Sequence, residues 1–107
     1  MEGYIFDVEY HEKYVKWRNK LKDVDAKALI TARVKRISED GEFGDCEFIG
    51  NDVWELRIHY GPGYRVYYMR EGDKVILLLC GGNKSSQKRD IKRATKLAKE
   101  VKRERED

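Results

Sequence analysis

Arg57, His59, Arg65 and Lys84 are the side chains whose types fit work on a phosphate group. An arginine fork donates two parallel hydrogen bonds to phosphate oxygens and does not deprotonate. Histidine is the one side chain whose ordinary pKa suits proton transfer near neutrality. Between two arginines its neutral form is favoured, as a general base requires. The alternative for His59 is a partly exposed strand histidine with no role. Arg57 and His59 alternate with apolar residues in Trp54 to Tyr60, and Arg65 and Tyr67 do so in Tyr64 to Met69. That period of two is a strand signature. Gly61-Pro62-Gly63 lies between the runs and turns the chain, because Pro fixes φ and Gly accepts positive φ.

The pairing of these strands decides which side chains meet. Setting Tyr60 opposite Tyr64 places Ile58 against Val66 and Leu56 against Tyr68. These residues and Trp54 form an apolar face. Arg57, His59, Arg65 and Tyr67 then gather on the other face, within reach of one another. A one-residue slip would turn those charges inward at high cost.

The remaining elements follow in chain order. Tyr4 to Glu9 alternates as a first strand. Tyr10, Tyr14, Trp17 and Leu21 mark one face of a helix. Asp23 or Asp25 is positioned to cap a second helix, which buries Ala26, Leu29, Ile30, Val34 and Ile37 and exposes Lys27, Arg33, Lys35 and Arg36. The two helices are expected to form a hairpin on one face of the sheet. Ser38 to Gly41 reads as a loop and Gly44 to Ile49 as a short strand. Val75 to Cys80 is a continuous apolar run, the pattern of a central strand covered on both faces. Gly81-Gly82-Asn83-Lys84 reads as a glycine-rich turn. Ser85 or Ser86 is expected to cap a last helix, with Ile91, Ala94, Ala98 and Val101 as its apolar stripe and Leu97 widening it. The charged tail from Lys102 onward is expected to fray. The order β-α-α-β-β-β-β-α, with helices segregated in sequence, argues an α+β fold in one domain over 1–107.

The chain has 107 residues, 40% of them charged and 11% aromatic, a balance that fits a small charged globular protein. The net charge of +3 is unevenly spread. Residues 1–56 carry 9 Lys/Arg and 13 Asp/Glu (−4), and residues 57–107 carry 14 and 7 (+7). A basic half can meet an acidic partner such as RNA or DNA, although most charge runs are solvated surface. No apolar run is long enough to span a membrane, and the N-terminus lacks a signal-peptide pattern. Cys46 and Cys80 sit in strand patterns away from any zinc motif and read as reduced core cysteines of a cytoplasmic protein. Glu55 is the only acid in the 54–67 hairpin and His11 lies far from it. Neither a metal site nor a cofactor is therefore expected.

Several stretches resemble the RelE/ParE superfamily of toxins, and most of all its HigB-like branch of addiction-module killer proteins. They are Glu55-Leu56-Arg57-Ile58, Tyr60 to Tyr68, Leu77 to Lys84, and Gln87 with Asp90-Ile91. The Gly44-Asp45 step and the Trp17-to-Leu21 helix also fit. The run Leu56 to Tyr68 is specific, whereas the helices are not. The resemblance implies a small twisted antiparallel sheet with an N-terminal helical hairpin on one face and a C-terminal helix.

It also implies a toxin restrained by a cognate antitoxin, of the helix-turn-helix type, in a toxin–antitoxin hetero-oligomer. RelE-like members cut mRNA on the ribosome, whereas ParE-like members poison DNA gyrase on the same fold, so fold alone does not choose. A member without nuclease activity, binding RNA or protein, is a further alternative. In the nuclease case the RNA 2′-hydroxyl attacks the adjacent phosphate. Arg65 matches the strand-borne arginine of the family's Gly-Tyr-Arg motif, and Arg57 and Lys84 match its basic positions more loosely. Tyr64 and Tyr67 can stack on bases, and Lys88, Arg89, Lys92 and Arg93 can grip RNA phosphates. A packed Tyr64 and a solvated helix face are the plainer readings of these residues. Two positions depart from the family pattern. Glu55 stands where a second basic residue is expected, and Arg89-Asp90 where a tyrosine is.

Overall fold

The computed structural model describes residues 5–106. It contains strands β1 (Asp7–Tyr10), β2 (Cys46–Gly50), β3 (Val53–Ile58), β4 (Tyr64–Glu71) and β5 (Val75–Asn83). Its helices are α1 (Glu12–Lys20), α2 (Val24–Asp40) and α3 (Gln87–Glu106), with a 3₁₀ turn at Lys84–Ser86. The strands form one sheet in the order β1-β5-β4-β3-β2. Neighbours are antiparallel except β1 and β5, which run parallel. Tyr4, where the first strand was expected to open, lies outside the described residues.

The α1–α2 hairpin covers one face of the sheet. Tyr14, Ala26, Ile30, Val34 and Ile37 pack there against Leu56, Ile58, Val66, Tyr68 and Leu78. The Asp23 carboxylate caps α2 by accepting from the N–H groups of Asp25 and Ala26. Three expectations for α2 fail. Ser38 to Asp40, read as a loop, continue the helix, and Gly41 ends it in the left-handed region. Leu29 is 40% exposed, one step off the buried stripe. Arg33 is half-buried, and it donates to the carbonyls of Arg57 and Phe43, each at 2.6 Å. It thereby fastens the 41–45 loop to β3.

The opposite face is not open. The α3 stripe of Ala94, Leu97, Ala98 and Val101 covers it, packing on Val53, Met69, Leu77 and Leu79. An amphipathic helix of this kind must bury its stripe, and the second face of the sheet receives it. Residues 102–106, expected to fray, continue α3. Lys102 pairs with Asp52 at 2.6 Å, and Arg105 joins Glu71 and Glu9.

The β3–β4 register differs from expectation by two residues. Leu56 faces Val66, Arg57 faces Arg65 and Ile58 faces Tyr64. The strands part after Ile58, and the turn takes His59 and Tyr60 as well as the Gly-Pro-Gly step. A shift of two leaves every side chain on its expected face.

Gly81 and Gly82 belong to β5 and are not a turn. Each is there for close approach. A Cβ on Gly81 would lie 2.4 Å from the Trp17 ring, and one on Gly82 would lie 1.8 Å from a carboxylate oxygen of Asp90. A bulge opposite Tyr67–Tyr68 turns these two glycines toward the hairpin and toward α3 respectively. Asn83, and neither serine, caps the following turn. Its side chain accepts from the N–H groups of Ser85 and Ser86, and Ser86 Oγ accepts from the Asn83 N–H.

Candidate phosphate site

The site lies on the α3 side of β3 and β4, under the first turn of α3. Alternation sends Glu55, Arg57, Arg65 and Tyr67 to that side, and the close packing of Gly82 on Asp90 brings the helix start over them. Glu55 is fully buried at its centre. Its Oε1 accepts from Arg57 Nε at 3.1 Å. Its Oε2 accepts from Tyr67 Oη at 3.1 Å and from Gln87 Nε2 at 2.7 Å. Burial, reinforced by the Glu55 charge, pushes the Tyr67 phenol well above its ordinary value, so it remains a donor.

The two arginines differ sharply. Arg57 is ringed by carboxylates: Nε meets Glu55, a terminal nitrogen meets Glu47, and Nη1 lies 3.7 Å from Asp45. Arg65 is only 7% exposed. Its Nε stands 4.0 Å from Glu55 Oε2, and both Nε and Nη1 lack a hydrogen-bond partner among the described residues. Buried guanidinium donors without acceptors are costly.

His59 is not held between the arginines. It lies just beyond β3, and its Nε2 is 2.5 Å from Asp45 Oδ2. That hydrogen bond holds the Asp45 carboxyl below the usual carboxylate range. Asp45 also faces Arg57, so His59, Asp45, Arg57, Glu55, Tyr67 and Gln87 form one connected network. Lys84 is exposed and sits against Gly63 in the β3–β4 turn, with its backbone N–H donating to the Pro62 carbonyl.

Tyr64 and Tyr67 are inside the protein, which leaves neither ring free to stack on a base. Tyr64 is 8% exposed, edge-on to Trp17, and Tyr67 is fully covered by α3. Lys88, Arg89, Lys92 and Arg93 are exposed on α3. The i,i+4 pairs Lys88–Lys92 and Arg89–Arg93 are like-charged, and each opposes the helix by about 0.2–0.5 kcal/mol. Only Arg89 of these four comes within reach of a described carboxylate, 3.9 Å from Asp90.

Sequence reasoning did not assign roles to Glu55, Gln87, Asp45 or Asp90. Glu55 carried a readable signal, since it alternates in phase with Arg57. Asp90 is 2% exposed and accepts from Ser86 Oγ at 2.5 Å, and its close packing on Gly82 is a contact that only the fold creates. Among the described residues no group of three His, Cys, Asp or Glu is arranged to hold a metal. No helix among them is long and apolar enough to cross a membrane.

A mixed sheet with a helical hairpin on one face and a C-terminal helix on the other is the RelE fold. The chain matches a double mutant of the E. coli toxin RelE in the free state with a TM-score of 0.62. The match has 16% identity and covers 78% of this chain and 88% of that one. It matches a chain of the intact E. coli RelBE toxin–antitoxin complex with a TM-score of 0.61 at 18% identity, covering 73% and 95%. Within that fold the family is specific. Residues 17–102 match the model for Phage derived protein Gp49-like (DUF891), and the chain belongs to that family. An uncharacterized protein of Haemophilus influenzae is 48% identical over 85 residues, spanning 79% of this chain and 85% of the relative.

Proposed function

We propose that this chain is the toxin of a toxin–antitoxin module and cuts mRNA on the ribosome. The observation that carries the reading is Arg65, a buried guanidinium with two unengaged nitrogens on the polar face of a RelE-like sheet. One phosphate of the RNA is its ligand. His59, oriented by Asp45, takes the proton of the 2′-hydroxyl. The 2′ oxygen then bonds to phosphorus, the bond to the 5′ oxygen breaks, and that oxygen takes up a proton. Arg65 stabilises the charge that builds on the phosphate, where a fixed donor has most effect. Lys84 adds a second positive charge at the turn. Neither a metal nor a cofactor takes part.

Lys88, Arg89, Lys92 and Arg93 hold structured RNA by its phosphates, and the chain acts in the cytoplasm. An antitoxin with an acidic contact surface restrains it, and charge attraction accelerates their association. Inducing the chain in growing cells and mapping mRNA 5′ ends tests the reading. New ends inside translated messages support it. Intact messages with DNA breaks point instead to gyrase poisoning.

A further inference from the structure

We infer that Glu55 is the positioning residue of the phosphate site, acting through Arg57, Arg65 and Gln87 and not on the substrate. The inference rests on the reading of Arg65 as a phosphate ligand. Position 55 lies on the sheet face that α3 covers, where Val53, Met69 and Leu77 are apolar. An apolar residue would pack there without the desolvation cost of a carboxylate. The acid is kept, fully buried, and supplied with donors. Arg57 Nε fills Oε1, while Tyr67 Oη and Gln87 Nε2 fill Oε2. Fully buried beneath these donors, the carboxylate does not reach the substrate.

The same geometry divides the work of the arginines. Arg57 is paired with Glu55, Glu47 and Asp45 and serves as a counter-charge. Arg65, 4.0 Å from Oε2, is attracted by Glu55 without spending its Nε and Nη1 donors on it. Gln87 is the first residue of α3, so one carboxylate indexes both the arginine and the helix that roofs it. Removing the charge therefore separates two effects. With the neighbouring negative charge gone the guanidinium groups attract an anion more strongly, and the lost alignment slows turnover. A residue that only stabilised the fold would not divide them.

The test compares the full chain with Glu55→Gln and Gln87→Ala. Its readouts are thermal melting, the Nε–Hε NMR signals of both arginines, affinity for a short RNA oligonucleotide, and single-turnover cleavage on preassembled ribosome–mRNA complexes. Glu55→Gln is expected to bind the oligonucleotide about threefold tighter. It is expected to cleave on the order of 10²-fold slower, as a misplaced group does. A folded Glu55→Gln with affinity and rate both unchanged, or both reduced in proportion, overturns the inference. If Glu55→Gln does not fold, Gln87→Ala decides, because it removes one half-buried amide. A shifted Arg65 signal with slower cleavage and unchanged affinity supports the inference, and an unmoved signal with unchanged cleavage overturns it. If the natural chain cuts nothing, the nuclease reading fails while the inference is still judged by titrating inorganic phosphate. The Arg65 signal must then respond, and at lower phosphate in Glu55→Gln; no response overturns it.

Discussion

Replacing Arg65 by alanine separates the chemistry of the site from the stability of the fold. Removing one partner of a buried ion pair commonly costs 3–5 kcal/mol, roughly, because the other charge is left stranded. Here Glu55 is not stranded, since Arg57, Tyr67 and Gln87 still donate to it. The substitution also removes two buried donors that have no acceptor among the described residues, each a liability of about 1–3 kcal/mol. Against this stands the lost packing of the arginine stem. The opposing contributions leave a net change of no more than about 2 kcal/mol, readable in urea unfolding. The loss of a preorganised donor to the phosphate is larger, on the order of 10²–10³ in rate or ~2.7–4 kcal/mol. Arg65→Lys keeps the charge without the planar fork and is expected to fall between the two. Single-turnover cleavage in preassembled ribosome–mRNA complexes reads the rate. An Arg65→Ala chain that is folded and cuts within a fewfold of the natural rate would refute the phosphate-ligand role.

Three further outcomes are expected. Gly81→Ala drives a Cβ to 2.4–2.5 Å from the Trp17 ring and destabilises the fold by about 1–3 kcal/mol, readable as a lowered melting temperature. Burial, with the Asp90 charge second, pushes the Cys80 thiol up to about 12. A thiol raised this way adds stability that is full below its unfolded value of about 8.5 and is lost as pH climbs from there toward the folded value. Iodoacetamide at pH ~9 should accordingly modify Cys46 and spare Cys80 until the chain is unfolded. Reversing charge with Lys88→Glu and Lys92→Glu should slow antitoxin association at low salt, measured by stopped flow. Unchanged binding, with loss on reversing Lys16 and Lys20, would place the antitoxin on the α1–α2 hairpin instead.

The elements were legible in the sequence because their periods are clean. Tyr14, Trp17 and Leu21 repeat at helical spacing, although Tyr10, read on the same stripe, ends β1 and is exposed; Leu56, Ile58, Val66 and Tyr68 alternate. The faces of the central hairpin were readable for the same reason, and they survived an error of two residues in register. The turn length was not, since nothing in His59 or Tyr60 alone says whether a strand continues or bends. The glycines at 81 and 82 misled because close packing and turning both call for a missing Cβ, and only the positions of Trp17 and Asp90 tell them apart. The cover that α3 places on the polar face was the largest gap. Its stripe at Ala94, Ala98 and Val101 announced a buried helix, but not which side of the sheet would receive it. For that reason Tyr67 was placed on an open surface, and Glu55 went unrecognised as the hub joining Arg57, Tyr67 and Gln87.

The chemistry of the cut ends tests the central claim most directly. The purified chain is added to preassembled ribosome–mRNA complexes, with and without brief chelation that leaves the ribosomes intact, and the termini of the fragments are identified. Attack by the 2′-hydroxyl predicts a 2′,3′-cyclic phosphate on one fragment and a 5′-hydroxyl on the other, with chelation making no difference. Fragments bearing a 5′-phosphate, cutting that stops on chelation, or no cutting at all would contradict the account.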